Sequence, residues 1–236
     1  MATVDKFTLL NEGVLKVTGR LVDASNATLY ATSTIDDAEM VCIYKPIAGE
    51  RPLWDFADGS LAHREYAAYL VSQALGFNIV PLTILRDGPY GMGMVQEWIT
   101  LNEEIELGNF FSTDNPRLRA MALFDAIVNN TDRKIGHLLP VTEEEVYGCD
   151  HGVTFHVDDK LRTVLWQWAD DQLTDAEMEL LRKAEKLLLS DLAHQLAPFI
   201  TKAEIDATLV RVERLLSEGR FPLPNPDWPA IPWPAF

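Results

Sequence analysis

Hydrophobic and polar residues form short strand-like runs in the first hundred residues, rich in β-branched and aromatic side chains. A helical pattern interrupts these runs, beginning near Ser60, a candidate N-cap, and ending before Gly76. We expect the first three strands to form an antiparallel meander. The candidate strands are residues 15–18, 28–32, 40–44, 81–86 and 91–96.

The second half of the chain has the pattern of a helical domain. Asn115 precedes a proline and predicts the start of a helix that runs toward Asn129. Two capping boxes, beginning at Thr174 and Thr201, open two further helices. We therefore expect a β-rich front followed by an α-rich back.

Two parts of the second half are predicted not to be helical. Apolar residues at 146–149 and 153–157 indicate a β-hairpin. The tail from residue 221 carries six prolines together with Trp228 and Trp233, which predicts an extended strap. We expect its aromatic residues to pack onto the body of the protein rather than to recruit a partner.

Composition narrows the class of function. The chain has 236 residues, of which 47% are apolar, so it can bury a substantial core. Its net charge of −16 disfavours nucleic acid and anionic membranes as partners, and no basic cluster offsets that charge. The sequence has neither a leader-like start nor an apolar run of about 20 residues. We therefore expect a cytoplasmic protein with no membrane or nucleic-acid partner; the oligomeric state stays open.

The pattern around the two cysteines favours neither a catalytic nor a metal-binding role. Cys42 and Cys149 lie in apolar, strand-like runs without metal-binding spacing. We expect reduced thiols rather than a disulfide.

A lysine and a glutamate are the first candidates for chemistry. Lys45 ends the apolar run at residues 41–44, where an ammonium group needs an anion inside the fold. A nucleotide phosphate would supply that anion, and Glu65 on the following helix could pair with the lysine. The alternative is a solvated lysine at a strand end and an ordinary exposed glutamate.

Two aspartates follow in the second half. Asp132 follows the helix end at Asn129, on a loop of the kind that often presents catalytic groups. Asp150 is flanked by apolar residues and needs a cation or hydrogen-bond donors, which magnesium bound to phosphates would provide. His137 lies between the two carboxylates and is either a metal ligand or a structural histidine. A cation and two carboxylates are the groups that phosphoryl transfer from ATP requires.

The motifs Asn-Asn-Thr-Asp-Arg at 129–133 and Asp-His-Gly at 150–152 resemble the catalytic and metal-binding loops of the phosphoinositide 3-/4-kinase-like superfamily, which includes HipA-type kinases. The resemblance is to a small, actinobacterial-type branch, and it covers nearly the whole chain. It implies an α+β, bilobal protein-kinase-like fold. The β-rich N-lobe would span residues 1–99 and the α-rich C-lobe residues 100–236.

The resemblance also implies roles for individual residues. Lys45 is expected to bind the phosphates of ATP, Glu65 to be its helix partner, Asp132 to be the catalytic aspartate and Asp150 to hold Mg²⁺ or Mn²⁺. The adenine-binding hinge would be formed by Glu97, Trp98 and Ile99. Independently of the resemblance, Ser25 and Asn26 at the tip of the first hairpin could offer polar groups to phosphate oxygens, although no glycine-rich loop is present there.

Two positions depart from the superfamily. Its usual histidine two residues after the catalytic aspartate is Lys134 here, and its usual metal-binding asparagine five residues after is His137. Lys134 could contact the transferred phosphate, and His137 could bind the metal through a ring nitrogen. Alternatively, the site uses fewer protein ligands, and a nucleotide-binding pseudokinase remains open.

The net charge of the chain narrows the choice of phosphate acceptor. Phosphoinositide kinases work at membranes with basic surfaces, whereas this chain is acidic and has no basic amphipathic helix. The first candidate acceptor is therefore a small soluble polyol such as inositol or a related cyclitol, and the alternative is a protein serine or threonine, as in HipA-type relatives. Arg51 and Asp55, beside Trp54, are candidate substrate ligands, although this segment could instead pack onto the core.

Overall fold

An antiparallel sheet of five strands forms the first lobe, with the strands in the order β1-β2-β3-β5-β4. The computed structural model describes residues 4–21 and 26–236. All five strands lie where the sequence pattern predicts them, within a few residues. Their bounds are β1 Val14–Arg20, β2 Leu29–Ile35, β3 Ala38–Pro46, β4 Thr83–Gly88 and β5 Gly91–Glu97.

One face of this sheet is covered by a helix that the sequence pattern did not reveal, α1 Lys6–Glu12. Leu10 of α1 packs with Cys42 and Tyr44 of β3 in the apolar cluster on this face. Because side chains alternate along a strand, Lys45 points to the opposite face, away from that cluster. The central strand β3 thus separates a closed apolar layer from the face that carries Lys45.

Helix α2, Leu61–Leu75, is the predicted helix between the third and fourth strands. It ends as expected at Gly76, which adopts a left-handed conformation with φ 83°. Ser60 occupies the predicted N-cap position, but its hydroxyl makes no capping bond. The carboxylate of Glu50 caps the helix instead, accepting the N–H groups of Leu61 at 3.0 Å and Ala62 at 2.8 Å.

The second lobe is helical, as predicted. The capping boxes at Thr174 and Thr201 are present, with Glu177 and Glu204 as the reciprocal partners. Asn115 accepts the N–H groups of the first turn of α4. The helices are α3 Leu107–Phe110, α4 Pro116–Val128, α5 Asp175–Leu188, α6 Asp191–Leu196 and α7 Lys202–Glu218, of which α3 and α6 were not predicted.

The predicted hairpin around Asp150 does not form in the expected way. Strand β7, Val146–Gly148, pairs with the preceding strand β6, Leu138–Pro140. Residues 153–157 form no strand. The Asp150-His151-Gly152 segment is therefore a loop that follows the second strand of a short hairpin. The sequence pattern predicted the wrong partner strand, because strand pairing depends on long-range contacts.

The proline-rich segment, residues 221–236, contains neither helix nor strand and lies along the second lobe. The carbonyl of Ala230 accepts hydrogen bonds from the Thr163 N–H at 3.0 Å and from Trp166 Nε1 at 2.8 Å. The carbonyl of Ala235 accepts the N–H of Ile135 at 2.9 Å. We call this segment the strap.

Two predictions from composition can be compared with the fold. Cys42 and Cys149 are free thiols, and burial raises the pKa of each to about 12. Within residues 4–21 and 26–236, no helix has the length and apolar character needed to cross a bilayer.

The cap on α2 gives a first test. Glu50→Ala is expected to lower the free energy of unfolding by about 1–2 kcal/mol, because two N–H groups lose a charged acceptor. Glu50→Gln keeps one carbonyl oxygen as an acceptor and should lower the free energy of unfolding by a smaller amount. Denaturant unfolding followed by circular dichroism measures the effect, with Glu39→Ala, an exposed glutamate on β3, as the control. Equal losses for Glu50→Ala and Glu39→Ala would show that Glu50 is not the cap.

Candidate active site

Lys45 is the centre of the charged site on the open face of the sheet. Its Nζ lies 2.5 Å from Glu65 Oε1 on α2 and 3.0 Å from Asp150 Oδ1 on the loop after β7. Burial lowers the pKa of Lys45, but the charges of Asp150 and Glu65 outweigh it and raise the pKa above its ordinary value. The structure therefore brings together the three residues that the sequence predicted for phosphate and metal binding, and the ammonium is charged at every physiological pH.

Glu65 connects this lysine to the Asp-His-Gly loop. Its second carboxylate oxygen accepts the backbone N–H of His151 at 2.9 Å. Glu65 is almost completely buried, so its charge needs these donors. Helix α2 thus fixes the positions of β3 and of the loop relative to each other.

Asp150 has the properties expected of a metal-binding carboxylate. The charge of Lys45 lowers the pKa of Asp150 well below its usual range, and this outweighs the effect of burial. The residue has a left-handed backbone with φ 61°, which aspartate tolerates better than most residues. The side chain is partly exposed, so an ionised carboxylate faces the open side of the site.

Asp132 lies on the loop after α4, and its environment differs from that of Asp150. Its carboxylate is 3.5 Å from Lys134 Nζ and 3.5 Å from Arg162 Nη2. Burial raises the pKa of Asp132, and Asp150 raises it further, although Lys134 and Arg162 lower it. The pKa values of the two carboxylates are therefore moved in opposite directions, which makes Asp132 the better proton acceptor and Asp150 the permanent anion.

Arg133 is a site residue that the sequence analysis missed. It is 0% exposed and donates from Nε and Nη2 to the two carboxylate oxygens of Asp125, both at 2.9 Å. The same guanidinium donates to the Cys149 carbonyl at 3.1 Å and to His151 Nε2 at 2.7 Å. It therefore joins the loop that carries Asp132 to the loop that carries Asp150.

A sequence signal for this network was available. Asp125 is a carboxylate inside the apolar run at residues 121–128, and such a carboxylate requires a buried cation or several donors. Asn130 also belongs to the network, donating to Asp125 at 3.0 Å and accepting the N–H of Asp132 at 3.0 Å. Gly148 leaves space for the guanidinium, since a Cβ there would lie 2.9 Å from Arg133 Nη1.

His137 lies beside the carboxylate that it was predicted to assist. Its Nε2 is 3.5 Å from Asp150 Oδ2, and its Nδ1 accepts the N–H of Lys134 at 3.4 Å. Burial lowers the pKa of His137 to about 4, so the ring is neutral. The acceptor role of Nδ1 places the ring proton on Nε2, facing Asp150. Binding a metal through Nε2 would require the other tautomer and the loss of the Lys134 contact.

The donor set fits a metal ion that is held mainly by phosphates. Among the described residues, no group of three or more His, Cys, Asp or Glu side chains could hold a metal by itself. Asp150 offers one ionised carboxylate, and His137 beside it offers a ring nitrogen only in the tautomer that gives up the Lys134 contact. Magnesium commonly binds one or two carboxylates together with substrate phosphates and water, so the single carboxylate of Asp150 is sufficient.

A cleft of about 530 Å³ lies between the lobes. Five of the residues described above line it: Lys45, Glu65, Asp132, Lys134 and Asp150. The loop at residues 50–56 and the strap form other parts of its lining. The cleft has a volume typical of a small-molecule site.

The predicted substrate ligands, Arg51 and Asp55, lie in this cleft, but one of them is engaged in an ion pair. Arg51 is exposed, whereas the carboxylate of Asp55 is 2.9 Å from Lys160 Nζ in a buried ion pair. Asn26 Oδ1 accepts the backbone N–H of Arg51 at 2.8 Å and so holds the loop in place. Ser25, predicted with Asn26 to contact phosphate, lies outside the described residues.

The predicted hinge is not part of the cleft lining. Glu97 pairs with Lys6 at 2.5 Å, and Trp98 packs edge-on against Tyr30. The backbone N–H groups of Glu97 and Trp98 already donate to the carbonyls of Leu82 and Val41. Within the described residues, the N–H of Ile99 donates to no backbone carbonyl.

Comparisons with known proteins agree with the architecture. No protein-family model matches the chain. Protein Rv2133c of Mycobacterium tuberculosis is 42% identical over 267 residues, covering 98% of this chain and 96% of that protein. The Helicobacter pylori proinflammatory kinase CtkA has a TM-score of 0.50 at 10% identity, covering 90% of this chain and 94% of its own. The Golgi casein kinase has a TM-score of 0.50 at 14% identity, covering 89% and 74%. The chain therefore has a small bilobal kinase fold, as predicted.

The buried network around Arg133 gives a second test. Arg133→Met keeps apolar volume but leaves the Asp125 carboxylate buried without a cation, so unfolding free energy is expected to fall by about 3–5 kcal/mol. Arg182→Met, which removes an exposed pair with Glu179, is the control and should cost less than about 1 kcal/mol. Thermal and denaturant unfolding of both variants decide the point. Similar losses in the two variants would contradict a structural role for the buried pair.

Proposed function

The chain belongs to the family of Protein Rv2133c, and we propose that it is a kinase, an ATP-dependent phosphotransferase that acts on a hydroxyl group. One observation carries the proposal. Lys45 is held between Glu65 and Asp150, and Asp132 lies in the same cleft with a pKa displaced in the opposite direction from that of Asp150. Phosphoryl transfer needs these groups together.

Each group has a defined part in the proposed reaction. Lys45 binds the ATP phosphates, and Glu65 keeps its ammonium in position. Asp132 orients the acceptor hydroxyl and takes its proton, while Lys134 stands beside it to meet charge on the transferred phosphate. Asp150, together with His137 in its other tautomer, would hold Mg²⁺ or Mn²⁺, and the ion would neutralise phosphate charge.

We place the protein in the phosphoinositide 3-/4-kinase-like, HipA-related superfamily. The loop motifs at residues 129–133 and 150–152 support this assignment, and the kinase fold is compatible with it. The adenine ring is then expected at the hinge, with Glu97, Trp98 and Ile99 beside it.

The first proposed acceptor is a small soluble polyol such as inositol or a related cyclitol. The acidic charge of the chain argues against a lipid surface, and the cleft volume suits a small molecule. A protein hydroxyl is the second candidate, because one structural neighbour is named as a casein kinase.

Incubation with γ-labelled ATP and a panel of cyclitols, sugars and proteins tests the proposal. We expect label in a small soluble product, and Asp132→Asn should reduce transfer by about 10²-fold or more, because the base is removed. Asp132→Asn should not lower thermal stability at neutral pH: a carboxylate with a raised pKa costs stability when ionised, and the amide removes that cost.

Asp37→Asn, at an exposed turn between β2 and β3, is the matched control and should transfer normally. Near-normal transfer by folded Asp132→Asn would overturn the role of Asp132. Label only on protein would favour the second candidate acceptor, and nucleotide binding without any transfer would identify a pseudokinase.

Metal titrations test the role of His137. Imidazole suits manganese better than magnesium, which prefers oxygen ligands. If His137 binds the ion, turnover should be relatively high with manganese, and His137→Asn should shift the preference toward magnesium while retaining transfer. Superimposable metal curves for the two proteins would show that His137 is not a metal ligand and only lies beside Asp150.

A further inference from the structure

Three tryptophans line the cleft that contains Asp132. They are Trp54, in the loop at residues 50–56, and Trp228 and Trp233, in the strap. Trp54 is 83% exposed and Trp233 is 92% exposed. Large exposed aromatic side chains grouped in a cleft are typical of a binding site, because single exposed apolar residues are usually scattered over a surface.

Lys160 holds two of these rings in place. Its Nζ lies 4.6 Å from the ring centre of Trp54 and 4.9 Å from that of Trp228. The ammonium also pairs with Asp55 and is itself almost buried. Cation–π attraction to Lys160, a residue of the second lobe, therefore connects the loop at residues 50–56 to the strap. Lys160 lies against one face of Trp54, and the exposure of that ring shows that its other face is open.

The third ring is exposed although its backbone is fixed. The carbonyl groups of Ala230 and Ala235, on either side of Trp233, accept hydrogen bonds from the second lobe. The donor to Ala235 is Ile135, the residue after Lys134. Trp233 is thus presented next to the catalytic loop by an anchored segment. The prediction that the aromatic residues of the strap pack onto the body holds for Trp228 and not for Trp233.

Resting on the proposed function, we infer that Trp54 and Trp233 are acceptor-binding residues that stack on a small ring compound. The acceptor class is a polyhydroxylated ring, a cyclitol or hexose, with one apolar C–H face. That face packs on indole, while the hydroxyl groups meet Asp132, Arg162 and Arg51, which line the same cleft. Trp228 positions the strap through Lys160.

The shape of the site favours a small ring over a peptide. Peptides commonly bind by adding to a sheet edge or by filling an extended groove. Here the tryptophans of the lining come from two short segments, residues 50–56 and the strap, around a volume of about 530 Å³ that also has to receive the ATP phosphates. A single ring with several hydroxyl groups fits these limits.

Saturation-transfer NMR on the full chain with ADP tests binding without requiring catalysis. The probes are myo-inositol, glucose, glycerol as an acyclic polyol, and a serine-containing peptide. We expect saturation of the ring protons of myo-inositol or glucose, and little for glycerol or the peptide. Trp54→Ala and Trp233→Ala should abolish it, whereas Tyr90→Ala, an exposed aromatic at the β4–β5 turn, should retain it. Absence of saturation for both rings in the wild type, or equal saturation in Trp233→Ala, would overturn the inference.

Steady-state kinetics separates this inference from the proposed function. Trp233→Ala should raise the KM for the ring acceptor about tenfold, as expected for losing one stacking face, and change kcat much less. Ring binding without any phosphate transfer by the wild type would reject the kinase proposal and keep the ring site. Transfer to myo-inositol with an unchanged KM in both tryptophan variants, or transfer to the peptide alone, would reject the ring site and keep the kinase.

Discussion

The buried contact between Arg133 and Asp125 fixes the geometry on which the site depends. Placing both ions out of water costs several kcal/mol each, and the structure offsets this with a two-bond fork and further acceptors from Cys149 and His151. Because the guanidinium reaches both functional loops, the separation of Asp132 and Asp150 is set by rigid, buried atoms. Loops with this support can present catalytic groups without being flexible themselves.

A second set of connected contacts organises the open face of the sheet. Glu50 caps the start of α2, Glu65 extends from that helix to Lys45, and the same carboxylate holds the backbone of His151. An acidic chain with a net charge of −16 would repel ATP phosphates at long range. Under the proposed function, the local placement of Lys45, with a metal held at Asp150, would be what permits a phosphate to bind here.

Much of the candidate site was predictable because the choice of its residues depends on local sequence. Lys45 follows an apolar strand, Glu65 lies on the next helix, and the motifs around Asp132 and Asp150 have characteristic residues. The helix starts at Thr174 and Thr201 were also predictable, since capping boxes are completed within four residues.

The features that were missed depend on contacts between distant parts of the chain. Ser60 occupies the N-cap position, but Glu50, ten residues earlier, supplies the acceptor. From the sequence alone, Arg133 would be interpreted as a solvent-exposed partner of Asp132. In the structure, Asp125 and His151 surround its guanidinium. The shared position of Trp54 and Trp233 was likewise not predictable, because the two residues are 179 positions apart and line one cleft only when the strap folds back along the second lobe.

A crystal structure of the full chain with a non-hydrolysable ATP analogue and Mn²⁺ tests the central claim most directly, since anomalous scattering locates the manganese. The account predicts phosphate oxygens on Lys45 Nζ, manganese on Asp150, and the terminal phosphate facing Asp132 across the cleft. Nucleotide bound outside this cleft, with Lys45 still engaged only by Glu65 and Asp150, would contradict it.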